Sequence, residues 1–237
     1  MRTLAVDAGN SRVKWGLAEH GRWLALGAAP TDEFAEPIGA AWRDLAAPDR
    51  IAVTNVAGPA VRSRLTRLMG HWATAPIWVK AAAAGGGVTN AYAQPEQLGA
   101  DRWAALVATR ARHAGASLVV LAGTATTIDH LDASGTFRGG MILPGTRLMK
   151  QALHRDTAGL PLAQGEYRDA PRNTADAIET GCLVAQVAAI ERAYRRLPQG
   201  AACFVSGGAA GEMVALLDFR VEEVEHLVLE GIVLLGQ

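Results

Sequence analysis

The chain has 237 residues, half of them hydrophobic, and its 23 basic residues balance 23 acidic ones. That length supports one large or two small domains with a sizeable core, and the apolar content excludes a disordered chain. A net charge near zero leaves no basic field for nucleic acid or an anionic membrane, and no apolar run reaches the roughly 20 residues of a membrane-spanning helix. In chain order, hydrophobic alternation predicts strands over 2–7, 11–18 and 22–28. A helix follows over 36–46, a short buried strand from Ile51 to Val56, a basic-faced amphipathic helix over 59–71 and a strand over 77–80. The Ala/Gly-rich stretch from Lys80 to Asn90 reads as a long loop, either functional and mobile or a plain crossover.

A helix over 99–114 opens on Gly99-Ala100-Asp101-Arg102, and a domain boundary is placed near Ser117, dividing 1–116 from 117–237. Strands are then expected over 118–122, 126–131 and 136–142, with a helix over 146–154 and an irregular stretch over 156–171. The long helix over 173–197 can be capped by Asn173 or Thr174. A strand over 202–206 runs into Gly207-Gly208, and a helix, a strand and a final helix close the chain. Strands followed by crossover helices, twice over, give an α/β architecture with mixed sheets.

Two segments carry chemistry. In the first, an apolar strand ends in Asp7, and Ala8-Gly9-Asn10-Ser11 form a tip before Arg12-Val13-Lys14 return on a second strand. Backbone N–H groups at such a glycine turn face anionic oxygens, and a lysine adds a charge-assisted contact, so the hairpin suits a polyphosphate. Asp7 would repel phosphate directly and would act through Mg2+ or a bound water. An ordinary hairpin turn accounts for the same residues equally well. The second segment, Leu118 to Asp129, repeats the design around Gly123, Thr124, Thr126 and Thr127. Two such hairpins half a chain apart suggest a duplication with a nucleotide held between the halves.

In this pairing the chain resembles the type III pantothenate kinases of the actin-like ATPase superfamily, which includes sugar kinases and Hsp70. The match runs through Asp7-x-Gly9-Asn10-Ser11-x-x-Lys14, the segment Tyr92-x-x-Pro95-x-x-Leu98-Gly99-Ala100-Asp101-Arg102-Trp103, and Gly123-Thr124-Ala125-Thr126-Thr127. Gly139-Gly140, Pro144-Gly145, Asn173-Thr174 and Ser206-Gly207-Gly208 follow in the family's order. The resemblance implies two similar actin-like (ribonuclease H-like) domains, each a mixed sheet flanked by helices. It implies ATP and pantothenate as substrates, with residues 7–14, Gly123, Thr124, Thr126, Gly207 and Gly208 on ATP. Asp101 would be the general base. Tyr92, Gly99, Ala100, Asp101, Arg102 and Thr174 would contact pantothenate, Arg102 through its carboxylate. The matching threonine reaches the substrate from the neighbouring subunit, which implies a homodimer with sites at the subunit interface. A metal role for Asp7 with Mg2+ follows, and so does a monovalent cation, potassium or ammonium.

Each residue also has a plainer reading. Acidic residues favour the first turn of any helix, a lone arginine on a helix is usually solvated, and Tyr92 could cap a hydrophobic cluster. Cys182 and Cys203 read as buried, inert thiols. One position departs from the family. Two residues before the second-hairpin glycine, where the family's cation-binding aspartate stands, this chain has Leu121, which cannot coordinate an ion. Asp129, further along, is expected to be a hairpin surface residue. The leading expectation is therefore a cytoplasmic pantothenate kinase without nucleic-acid or membrane partners. A catalytically weakened binding or regulatory relative is the alternative that Leu121 motivates, and an actin-fold kinase with another acceptor is a third.

Overall fold

Asp7 ends a strand that is buried on both faces. In a computed structural model, which describes residues 1–162 and 164–237, β1 (Arg2–Ala8) is the centre of a five-stranded sheet. It pairs antiparallel with β2 (Arg12–Glu19), which continues into β3 (Arg22–Pro30). On its other side it runs parallel to β4 (Arg50–Asn55), which pairs with β5 (Pro76–Trp78). Register sets Lys14 on one side of Asp7 and Thr54 on the other. One face of the sheet is covered by α1 (Ala35–Arg43) and α2 (Pro59–Met69), through Ile38, Trp42, Val61, Leu65 and Met69. The spacing of the last three buries one stripe of α2, and its basic residues face outward.

The stretch over 80–90 is not an irregular loop. Strands β6 (Ala84–Gly85) and β7 (Val88–Asn90) form a small antiparallel hairpin. Its turn residues Gly86 and Gly87 have φ of 57° and 77°, the left-handed pair that a tight hairpin needs. The strands are too short for alternation to reveal them. Thr136 and Phe137 pair in parallel with Thr89 and Asn90. Helix α3 (Ala100–Arg112) then carries a nearly continuous buried run from Arg102 to Thr109.

The chain divides into two compact units: Met1–Arg112 with Gly135–Phe137 and His226–Gln237, and His113–Ser134 with Arg138–Glu225. The division therefore differs from a single cut near 117, because the C-terminal helix Leu227–Leu235 returns to the first unit. It lies against α3 and β1 and approaches α3 so closely that a Cβ at Gly231 would sit 1.8 Å from the Ala104 carbonyl oxygen.

The second unit repeats the plan of the first. Its central strand β8 (Ser117–Ala122) is antiparallel to β9 (Ala125–Leu131), which is followed by β10 (Thr136–Pro144). On its other side β8 runs parallel to β11 (Ala202–Ser206), and β12 (Glu222–Glu223) lies beyond. The order β10-β9-β8-β11-β12 reproduces β3-β2-β1-β4-β5 strand for strand. Helices α4 (Thr146–Asp156) and α5 (Thr174–Tyr194) pack on each other, joined by a Lys150–Glu179 ion pair of 2.8 Å. α6 (Ala210–Val214) follows β11. Asn173 is the cap of α5, accepting from the Asp176 N–H at 2.8 Å, so Thr174 is the first helical residue and not the cap.

Candidate functional site

In the first unit, the hairpin between β1 and β2 closes through a hydrogen bond from the Gly9 N–H to the Arg12 carbonyl, 3.1 Å. Thr31, just past β3, pins the tip from outside. Its hydroxyl donates to the Gly9 carbonyl at 2.7 Å, and its N–H donates to the Ser11 carbonyl at 3.1 Å. Asn10 and Arg12 are exposed, and Gly9, Ser11 and Lys14 are half-buried, while Ala8 and Val13 belong to the core. The tip thus offers backbone and small polar groups to a ligand while its strands are fixed from within.

Asp7 is buried, and its Oδ1 accepts a 2.9 Å hydrogen bond from the fully buried Thr54 hydroxyl. Its pKa is pushed up to about 6, chiefly by burial and then by the negative charge of Asp101, with the Thr54 bond and the Lys14 charge opposing. The two carboxylates, from β1 and from the first turn of α3, thus lie within electrostatic reach inside one unit. Asp101 is itself oriented by its neighbour's backbone: its Oδ1 accepts from the Arg102 N–H at 2.9 Å. A Cβ at Gly99 would lie 2.6 Å from that same oxygen, so glycine there leaves the carboxylate its space. Ala100 is half-buried beside it.

Arg102 is not a solvated helix charge; it is only 5% exposed. Its guanidinium carbon lies 5.9 Å from the centre of the Tyr92 ring and 5.8 Å from that of Phe137. The two rings are 5.1 Å apart. Tyr92 is half-buried against the fully buried Phe137, so it does cap an apolar contact, and it shares that contact with the arginine. Aromatic faces stabilise a desolvated guanidinium and fix the plane of its fork.

The second unit presents the second hairpin. The Gly123 N–H donates to the Ala125 carbonyl at 3.1 Å; Gly123 is exposed and Thr124 half-buried. Thr126 and Thr127 are buried, and neither hydroxyl has a hydrogen-bond partner among the described residues. Two glycines allow segments distant in the same chain to close on this turn. A Cβ at Gly145 would lie 2.3 Å from the Gly123 carbonyl oxygen, and one at Gly207, whose φ is 117°, would lie 2.2 Å from that of Ala122. Gly208 beside it is exposed and faces open space. Thr174 is exposed and lines a cavity of about 560 Å³ with Pro144, Met149, Leu153, Ile178 and Gly181.

Asp129 is a correction to the sequence reading: it is 1% exposed, not a surface residue. β9 is covered on both faces, and Gly140 leaves room for the carboxylate, since a Cβ there would sit 2.0 Å from its Oδ1. Leu121 is half-buried between Thr127 and Ser206 on the flanking strands. Its side chain offers no oxygen, so the residue at this position does not fit a monovalent cation. Both cysteines are buried and unpaired, and burial pushes the Cys203 thiol up to about 12.

Among the described residues, no group of three His, Cys, Asp or Glu side chains gathers to hold a metal alone. Mg2+ bound with a nucleotide needs only one or two carboxylates, the rest of its shell being phosphate and water. A buried Asp7 carrying the added repulsion of Asp101 fits that demand. Thr54, Thr31 and Phe137 are the residues against the site that sequence reasoning missed. A hydroxyl inside the apolar run Ile51-Ala52-Val53-Thr54 was the one signal available for the first of them.

A family model described as type III pantothenate kinase matches residues 3–196. The chain is 48% identical to the type III pantothenate kinase of Aromatoleum aromaticum, over 99% of this chain and 97% of that protein. It is 44% identical to that of Azoarcus sp., over 98% and 90%. Among solved structures it resembles a putative Baf family transcriptional activator from Campylobacter jejuni, with a TM-score of 0.66 and 21% identity over 97% of this chain and 94% of that one. It also resembles a putative 2-dehydro-3-deoxygalactonokinase from Sinorhizobium meliloti, with a TM-score of 0.60 and 15% identity over 98% and 97%. These structural likenesses carry the fold alone, the actin-like fold that the repeated sheet order describes.

Proposed function

Because the chain belongs to the type III pantothenate kinase family, we infer that it transfers the γ-phosphoryl group of ATP to the primary hydroxyl of pantothenate. The product is 4′-phosphopantothenate, and the step is the first of coenzyme A biosynthesis. The observation that carries this reading is the grouping of Asp101, Arg102 and Tyr92 at the start of α3, with Asp7 in electrostatic reach. Asp101 takes the proton of the acceptor hydroxyl. The freed oxygen attacks the γ-phosphorus, the bond to the β–γ bridging oxygen breaks, and ADP leaves. Arg102, desolvated and braced by two rings, suits the planar pantothenate carboxylate bidentately.

The tips of the Gly9 and Gly123 turns would each serve phosphate, the glycine N–H groups themselves being spent in closing the hairpins; Lys14 would add charge, and Gly208, exposed beside the close-packed Gly207, would leave backbone open to the adenosine side. Thr124 adds a hydroxyl at its tip; Thr126 is buried and would contribute from behind the turn. Asp7 would hold Mg2+ through water, and the ion would neutralise charge on the β- and γ-phosphates. Most of the acceleration comes from positioning and charge stabilisation, as for phosphoryl transfer generally. The same reading makes the enzyme a cytoplasmic homodimer in which Thr174 serves the neighbouring subunit's substrate. Among the described residues, no helix is long and apolar enough to cross a membrane.

Leu121 favours one second reading, a relative that binds its ligands and turns over weakly. A single experiment separates the two: ADP release with ATP, Mg2+ and pantothenate, in potassium and in sodium buffer. The kinase reading expects pantothenate-dependent turnover that is similar in both buffers. It also expects a loss of roughly 10²–10⁴-fold in Asp101→Asn, with the fold intact by circular dichroism. Ligand binding without turnover in either buffer would establish the weakened relative.

A further inference from the structure

Tyr92 lies on an exposed loop, yet a residue that contacts substrate must be held still. The loop's other polar side chains, Gln94, Glu96 and Gln97, face solvent. Asn90 does not: it is 6% exposed and turned inward. Its Oδ1 accepts from the Tyr92 N–H at 3.1 Å, and its Nδ2 donates to the Pro95 carbonyl at 3.1 Å. The partners fix the amide's orientation, because an N–H needs an acceptor and a carbonyl needs a donor. One side chain therefore ties down both ends of the segment that carries Tyr92.

Asn90 is in turn immobilised through its backbone. Its N–H donates to the Ala83 carbonyl at 2.9 Å, and the next N–H, of Ala91, donates to the Phe137 carbonyl at 3.1 Å. Phe137 then supports the Tyr92 ring and, 5.8 Å away, the Arg102 guanidinium. The chain of contacts runs from the sheet through Asn90 and Phe137 to Tyr92 and Arg102, the two residues assigned to pantothenate, and the Asn90 amide bonds on either side of Tyr92 within this one loop.

We propose that Asn90 is a positioning residue for the acceptor substrate, setting Tyr92 against Arg102 so that pantothenate meets a preformed surface. Asn90 acts through Tyr92 and does not itself touch the substrate. The assignment rests on the pantothenate kinase reading given above. A residue that serves only stability would, on removal, lower the amount of folded enzyme and leave both Michaelis constants in place. A positioning residue shifts one of them.

The test is initial-rate kinetics on Asn90→Ala and Asn90→Asp, with pantothenate and ATP varied in turn and folding checked by circular dichroism. Asn90→Asp keeps the size of the side chain and loses the donor to Pro95, so it remains informative if Asn90→Ala does not fold. The expected result is a KM for pantothenate raised on the order of tenfold, with KM for ATP within about twofold of the parent. Unchanged KM for pantothenate in a folded variant, or an equal rise for ATP, would overturn the proposal. Parent enzyme without pantothenate-dependent turnover would instead overturn the functional reading, and this assignment with it.

Discussion

Asp7 shows at the scale of one residue how a site is built at the cost of stability. A carboxyl group with an ordinary pKa of 3.8 in the unfolded chain has one of about 6 when folded. Between those values the folded state binds more protons than the unfolded state, so stability falls as pH rises through the window. Below 3.8 the penalty is absent; above about 6 it is complete, and it amounts to roughly 3 kcal/mol. Asp7→Asn, which keeps a side-chain oxygen for the Thr54 hydroxyl, is therefore expected to raise the melting temperature of metal-free protein at pH 7.5. At pH 4 the gain should be small. Thermal unfolding in EDTA across that range checks it, and a gain independent of pH would contradict the assignment of the burial cost to this carboxylate. Kinase activity should fall in the same variant. The pairing of Asp7 with Lys14 was legible in the sequence because both lie on one hairpin. Thr54 was not, because its partnership arises from a parallel strand 47 residues away.

At the scale of elements, the turns are shaped by what closes on them from a distance. The second hairpin reads plainly in Gly123-Thr124, but its surroundings depend on Gly145 and Gly207, which approach its carbonyl oxygens to within the space of a methyl group. Gly145 has φ of −64°, so any residue can adopt its backbone, and only the close approach demands glycine there. Gly145→Ala is therefore expected to destabilise by about 1–3 kcal/mol through overpacking. Gly208→Ala, facing open space, should stay within about 0.5 kcal/mol of the parent. Denaturant titration of both variants measures the difference, and equal stabilities would refute the close-approach argument. The elements themselves were legible wherever alternation or a helical stripe ran for more than five residues. The β6–β7 hairpin and the burial of Asp129 were not. The first is too short to show a period, and the second depends on a sheet covered on both faces.

The whole molecule is a duplication, and its repeated strand order is what two sequence hairpins half a chain apart had suggested. The return of the C-terminal helix to the first unit had no local signature, since only the partner helix α3 explains Gly231. One face of the second unit points beyond the single chain. Along α5, Ala177, Gly181, Val184, Ala185 and Ala188 are all exposed, spaced so that they share one side of the helix, with Thr174 exposed at its start. Small apolar residues in such a row let another helix approach closely, which supports the homodimer reading. If Thr174 serves the partner's substrate, two defective variants should complement each other. In a mixed dimer of Asp101→Asn and Thr174→Arg chains, one site combines both defects. The other takes its aspartate and its threonine from intact positions. Random exchange puts half of all dimers in the mixed form, so roughly a quarter of the sites should work. Mixing the two inactive proteins after reversible dissociation, then measuring ADP release, reads this directly. Activity that never rises above the sum of the separate variants would place Thr174 in the service of its own chain.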